Sequence, residues 1–100
     1  MAIWNSRIEC AKRSDIEKLQ LERLQWSVRQ AYVHVPMYHD KMAQAGVKPS
    51  DIRTLADIAK IPLTSKQELR GQYPFKLLAV PMREVVRIHA SSGTTGKPTV

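Results

Sequence analysis

Ser91-Ser92-Gly93-Thr94-Thr95-Gly96-Lys97-Pro98-Thr99 is the stretch that organises the reading of this 100-residue chain. Its first seven residues hold four hydroxyls, two glycines and one lysine. Glycines let the backbone take positive φ and approach a ligand closely. Successive N–H groups in such a turn form an anion-binding nest. Hydroxyls donate to phosphate oxygens, and a lysine adds a mobile point charge. The loop is not a Walker A motif, which needs four residues between its glycines and then Gly-Lys-Ser/Thr. Here only Thr94 and Thr95 separate Gly93 from Gly96, and Pro98 follows Lys97. Pro98 disfavours a helix running on from Lys97, so an anion would be held by the loop itself. A polar surface turn between two strands has the same composition, and the residues alone leave both readings open.

Immediately upstream, Val86, Ile88 and Ala90 alternate with Val85, Arg87 and His89. This period of two predicts a strand over Glu84 to Ala90, with Val85 making both faces partly apolar. A strand ending in a loop cannot pair its own backbone groups. Residues 84–100 are therefore expected to be the first strand and loop of a sheet whose other strands lie elsewhere. The chain is read as the N-terminal part of a longer protein, with Met1 a true start and Val100 not a natural end.

Towards the N-terminus the pattern becomes helical. The first ten residues carry little periodicity and are expected to form a loose arm. Ser14 with Glu17 has capping-box spacing. Leu21, Leu24, Val28, Ala31 and Val35 follow at steps of three and four, which places one apolar stripe along a long helix. Pro36 ends that helix near Val35 and opens a second one running to about Ala45, with Gly46 as C-cap. Thr54 is expected to cap a short turn over Leu55 to Ala59. Thr64 with Gln67, or Ser65 with Glu68, caps a further short helix closed by Gly71. Pro74 and Pro81 make residues 72–83 irregular. The fold class is α/β for the whole protein and α+β for this piece. Residues 1–83 form a helical cap, and 84–100 form the strand and loop.

Composition narrows the classes further. Apolar residues make up 43% and charged residues 25%, which is ordinary globular usage. The longest apolar run, Leu77 to Val80, is far short of the roughly 20 residues of a bilayer span. Residues 1–5 lack a basic region followed by an apolar stretch, so they do not read as a signal peptide. The single cysteine, Cys10, rules out an internal disulfide, and a cytoplasmic setting is the default. The net charge of +7 admits an anionic partner. Its scattering from Arg7 to Lys97 argues against a nucleic-acid footprint.

The loop, as it stands, resembles the phosphate-binding signature of the adenylate-forming superfamily of acyl-CoA synthetases. The surrounding residues narrow this to the phenylacetate–coenzyme A ligase family. They are Ala31-Tyr32-Val33-His34-Val35-Pro36-Met37-Tyr38, Ile61-Pro62-Leu63-Thr64-Ser65-Lys66, Tyr73-Pro74-Phe75 and Arg87-Ile88-His89-Ala90. The likeness runs in order through nearly the whole chain beyond about residue 7. Many adenylate-forming enzymes have Pro-Lys-Gly where this chain has Pro98-Thr99-Val100, and Thr99 fits the narrower family.

The resemblance implies an AMP-forming acid–thiol ligase, with ATP, Mg²⁺ and coenzyme A as cosubstrates. An aryl-acetic acid, phenylacetate, is its small-molecule partner, in aromatic acid catabolism. It implies no nucleic acid and no membrane, and leaves room for a homodimer of the longer enzyme. Ser91, Ser92, Gly93, Thr94, Thr95, Gly96 and Lys97 would hold the ATP phosphates. No catalytic residue and no metal ligand is assigned within this chain, because the adenine site, acid pocket and catalytic lysine of the family lie downstream. The piece alone is accordingly expected to be inactive. A related aryl-acid ligase and a stand-alone helical interaction module are the alternatives. His34, His39 and His89 read as satisfied or exposed histidines rather than metal ligands, with His89 near enough to the loop to approach a nucleotide. Cys10 has no evident activating base.

Overall fold

The computed structural model describes residues 2–92 and 96–100. Among these residues four α-helices occur in chain order: α1 (Ser6–Glu9), α2 (Arg13–His34), α3 (Pro36–Gln44) and α4 (Lys66–Gly71). Short 3₁₀ turns lie at Pro49–Asp51, Leu55–Lys60 and Met82–Glu84. The N-terminal arm is thus not wholly loose. Asn5 caps α1, its side-chain oxygen accepting the Ile8 N–H at 3.3 Å.

Helix α2 begins ahead of the Ser14 cap that the sequence predicts. Lys12 is the extended residue before it, and its carbonyl accepts the N–H groups of Asp15 and Ile16. A capping residue needs extended backbone, and Ser14 is already helical. Glu17 pairs instead with Arg13 at 3.3 Å, one turn away on the exposed face. The predicted stripe does face inward: Val28 and Val35 are buried, and Leu21, Leu24 and Ala31 are half-buried. At Val35 the backbone opens to φ −114°, ψ 105°, as Pro36 demands of its predecessor. Pro36 then starts α3, where its missing N–H costs nothing.

Helix α3 ends in a Schellman motif. Ala45 is the cap and Gly46 follows at φ +70°. The Gly46 N–H donates to the Ala43 carbonyl at 3.1 Å, and the Val47 N–H donates to the Met42 carbonyl at 2.9 Å. Met42 and Val47 then meet, the apolar contact that goes with this motif. They join Val28 and Ile52 in one buried cluster, with Leu24, Tyr32 and Ile61 packed around it. Ile52 is the most enclosed, at 1% exposure. Its carbonyl accepts the Gln25 side-chain N–H at 2.9 Å. Helix α2 is the spine, touching α3 and the 3₁₀ turns at Pro49–Asp51 and Leu55–Lys60.

The turn after Thr54 forms as expected, and Asp57 closes it. Its carboxylate accepts the N–H groups of Arg53 and Thr54, both at 2.8 Å, and pairs with Lys60 at 3.0 Å. In α4 the Ser65–Glu68 alternative is the one used: the Ser65 hydroxyl accepts the Glu68 N–H at 3.2 Å. The Glu68 carboxylate turns elsewhere, to the Lys41 ammonium of α3. Lys41 also donates to the Leu63 carbonyl. This lysine is the polar tie from the helical body to α4.

No strand forms among the described residues, which corrects the expectation for Glu84 to Ala90. Residues 85–90 belong to no helix or strand. The alternation of side chains survives only in part: Val85, Arg87 and His89 line a cleft with Pro74, Phe75 and Leu78, and Val86 is 94% exposed, but Ile88 lines the same cleft. A strand is defined by its ladder, and these residues have no neighbouring strand to bond.

Candidate functional site

The loop after Ala90 is closed at its base. The Ser91 N–H donates to the Thr99 carbonyl at 2.8 Å, and the Thr99 N–H donates to the Ser91 Oγ at 3.0 Å. These two bonds bring the ends of the 91–99 segment together. Ser91, the first of the residues expected to meet phosphate, is thereby held against Thr99. The Ser91 hydroxyl accepts one bond here and keeps its own hydrogen to donate. Ser92 and Lys97 are exposed. Gly96 takes φ +68°, the positive φ that the composition called for. A positive φ is strained for any residue with a Cβ, so glycine suits that place by conformation. Gly93, Thr94 and Thr95, also expected to contact phosphate, lie outside the described residues.

One partner of the loop was not foreseen from sequence. The Lys97 ammonium stands 5.7 Å from the centroid of the Tyr73 ring, within the range of a cation–π contact. Tyr73 follows α4, and its N–H donates to the Arg70 carbonyl at 3.1 Å. Its only sequence signal was its place in the Tyr73-Pro74-Phe75 run. Behind the loop, Pro74, Phe75, Leu78, Val85, Ile88 and Val100 enclose most of a cleft of roughly 180 Å³, into which Arg87 and His89 also face.

The other singled-out side chains fall away from this place. His39 lies on α3, with its Nδ1 3.0 Å from the Tyr32 carbonyl and its ring against the Tyr32 ring. Cys10 is exposed beside α1. Among the described residues no three His, Cys, Asp or Glu side chains gather as a metal cluster. None of their helices is long and apolar enough to cross a membrane.

Two carboxylates have shifted titration, both outside the loop. Asp57 is held well below the usual carboxylate range by the Arg53 N–H first, then by Lys60 and the Thr54 N–H. Glu68 is lowered chiefly by its hydrogen bond from Lys41. Both shifts stabilise local structure, and neither supplies an acid or base to the loop.

No family model matches the chain. Individual proteins do. It is 57% identical over 93 residues to the phenylacetate-coenzyme A ligase of Escherichia coli (strain K12), and 56% identical over 93 residues to that of Aromatoleum evansii. This chain is homologous to the phenylacetate-coenzyme A ligases. The same name recurs at 48% identity over 98 residues in Thermus thermophilus. These alignments take in 93–98% of the chain, which spans 21–22% of the length of those ligases. Among solved structures, a 2-hydroxyisobutyryl-CoA ligase in complex with 2-HIB-AMP and CoA matches at TM-score 0.76 and 36% identity. That match covers 88% of this chain and 20% of that one. A second structure of that ligase, in the postadenylation state with 2-HIB-AMP, matches at TM-score 0.73 and 32% identity, covering 87% and 19%.

Proposed function

We propose that these residues belong to an AMP-forming phenylacetate–coenzyme A ligase. Residues 1–83 would form its helical cap, and 84–100 the first strand and phosphate-binding loop of its large domain. The observation that carries the reading is the 48–57% identity to four phenylacetate-coenzyme A ligases. In this reading the phenylacetate carboxylate attacks the α-phosphorus of ATP, and pyrophosphate leaves. Coenzyme A thiolate then attacks the acyl carbon of the adenylate, and AMP leaves with the electron pair of the broken C–O bond. The substrate carboxylate is itself the nucleophile, so the loop need only bind and orient.

Ser91, Ser92, Gly93, Thr94, Thr95, Gly96 and Lys97 are assigned to the β- and γ-phosphates of ATP. Positioned N–H groups, hydroxyls and an ammonium spread the charge that develops on departing pyrophosphate. Mg²⁺ enters as part of the ATP substrate. Hydroxyls and an ammonium suit phosphate oxygens, not a hard cation that prefers carboxylates. The exposure of Ser92 and Lys97 and the positive φ of Gly96 support this role. The 85–90 segment, in no helix or strand here, is assigned to a sheet completed by the rest of the enzyme.

The test is made on the longer protein, supplied with phenylacetate, ATP, Mg²⁺ and coenzyme A. Phenylacetate-dependent AMP and phenylacetyl-CoA are expected. Lys97→Ala should raise KM for ATP on the order of tenfold, since a charge-assisted hydrogen bond is lost, with KM for the acid unmoved. AMP formation with other aryl acids but not phenylacetate would shift the substrate assignment. No AMP with any acid, and no nucleotide binding, would favour a helical interaction module.

A further inference from the structure

We propose that Tyr73 is a positioning residue for Lys97, holding its ammonium at the mouth of the phosphate loop. The inference rests on the ligase reading above, and it concerns a residue outside the loop. Three observations support it. The Lys97 ammonium lies 5.7 Å from the Tyr73 ring centroid, and Lys97 takes part in no ion pair among the described residues. Tyr73 is fixed at the end of α4 by its N–H bond to the Arg70 carbonyl. Helix α4 is itself tied to α3 through Lys41, which reaches both Glu68 and the Leu63 carbonyl. A chain of fixed groups therefore runs from the helical body to the loop's one cation.

The chemistry suits a positioning task. A lysine side chain has a four-carbon stem and much rotamer freedom, which is lost when the ammonium engages a ligand. The ring quadrupole attracts the cation without neutralising it. A carboxylate in the same place would compete with phosphate for the ammonium, whereas an aromatic face leaves N–H donors for the anion. Tyr73 is 38% exposed, so the contact is of the solvent-exposed kind. That corresponds to about a 2–5-fold effect on binding.

The experiment is a double-mutant cycle in the full-length enzyme, with KM for ATP measured against KM for the acid. Tyr73→Leu should raise the ATP value about 2–5-fold relative to the acid value. Tyr73→Phe keeps the ring and should restore it. In a Lys97→Ala background, Tyr73→Leu should add nothing, because the cation is gone. An equal effect of Tyr73→Leu in both backgrounds, no effect in either, or a Tyr73→Phe variant as impaired as Tyr73→Leu would overturn the proposal. A second readout does not depend on turnover. In lysine-labelled protein, the Lys97 side-chain resonance is identified by its loss in Lys97→Arg. It should carry an upfield ring-current shift that vanishes in Tyr73→Leu and persists in Tyr73→Phe. An unchanged resonance in Tyr73→Leu overturns the contact even if the wild-type enzyme proves to use no aryl acid. An absent activity with a moved resonance would defeat the ligase reading and leave the contact standing.

Discussion

Ile52→Ala is the sharpest probe of the helical body. Ile52 is 1% exposed and lies among Val28, Met42 and Val47. The substitution removes three carbons, each worth roughly 0.8 kcal/mol on transfer from water. The vacated space adds a cavity contribution, because α2, α3 and the 49–51 turn are fixed around it by their own hydrogen bonds. The expected loss is about 3 kcal/mol, inside the range of about 2–5 for such truncations. Urea denaturation of the 100-residue chain, followed by far-ultraviolet circular dichroism, reads it out. With a slope of about 1 kcal/mol/M, the midpoint should fall by about 3 M, or helical signal should be absent in water if the parent is less stable than that. Leu63→Ala is the control: Leu63 is 92% exposed, so its midpoint should stay put. Equal midpoints for the two variants would refute the placement of the core.

Two further outcomes follow from single residues. Gly46→Ala meets no atom within 4 Å but must hold φ +70°, so it should cost about 1 kcal/mol from backbone strain alone, visible as a lower urea midpoint. A Gly46→Ala midpoint at or above the parent would contradict the Schellman end of α3. Asp57→Asn should abolish one pH dependence of stability. The carboxylate has an ordinary value of 3.8 and is held well below it in the fold, so the unfolded chain binds the proton first. Its stabilisation is complete above that ordinary value and fades as pH falls towards the folded one. The parent should therefore be more stable than Asp57→Asn at pH 7, with the gap closing below about pH 4. A gap that widens on acidification would show that the Arg53, Thr54 and Lys60 contacts do not act on the charged form.

The parts of the fold legible in the sequence are those decided by near neighbours. The stripe from Leu21 to Val35 follows from helical spacing. The break at Val35 follows from a steric rule about Pro36, and Gly46 ends α3 because the chain there needs positive φ. Ser14 misled because capping boxes depend on backbone that is extended at one particular residue, and Lys12 holds that place instead. In the loop, the positive φ that glycine permits is found at Gly96. The Tyr73 contact was not, because its two members come from segments far apart in sequence and no periodicity links them. The same holds for Lys41, whose two partners, Leu63 and Glu68, lie beyond the 3₁₀ turns at Pro49–Asp51 and Leu55–Lys60.

The strand expectation shows where local pattern and structure part. Residues 84–90 alternate in sequence, but the structure sorts them only in part: Val85, Arg87 and His89 line the cleft with Phe75 and Leu78, Val86 is exposed, and Ile88 breaks the pattern by lining the same cleft. What the pattern cannot supply is the second row of N–H and C=O groups that makes a ladder. The nearest substitute is the Ser91–Thr99 pair, and it uses the same backbone donors and acceptors that a strand would, with the Ser91 hydroxyl added. Thr99 of that pair stands two residues from Lys97. Weakening the Ser91–Thr99 closure should release the Lys97 ammonium from the ring before it disturbs Val28, Met42 or Ile52, because those residues pack on α2 and α3 and share no bond with the loop.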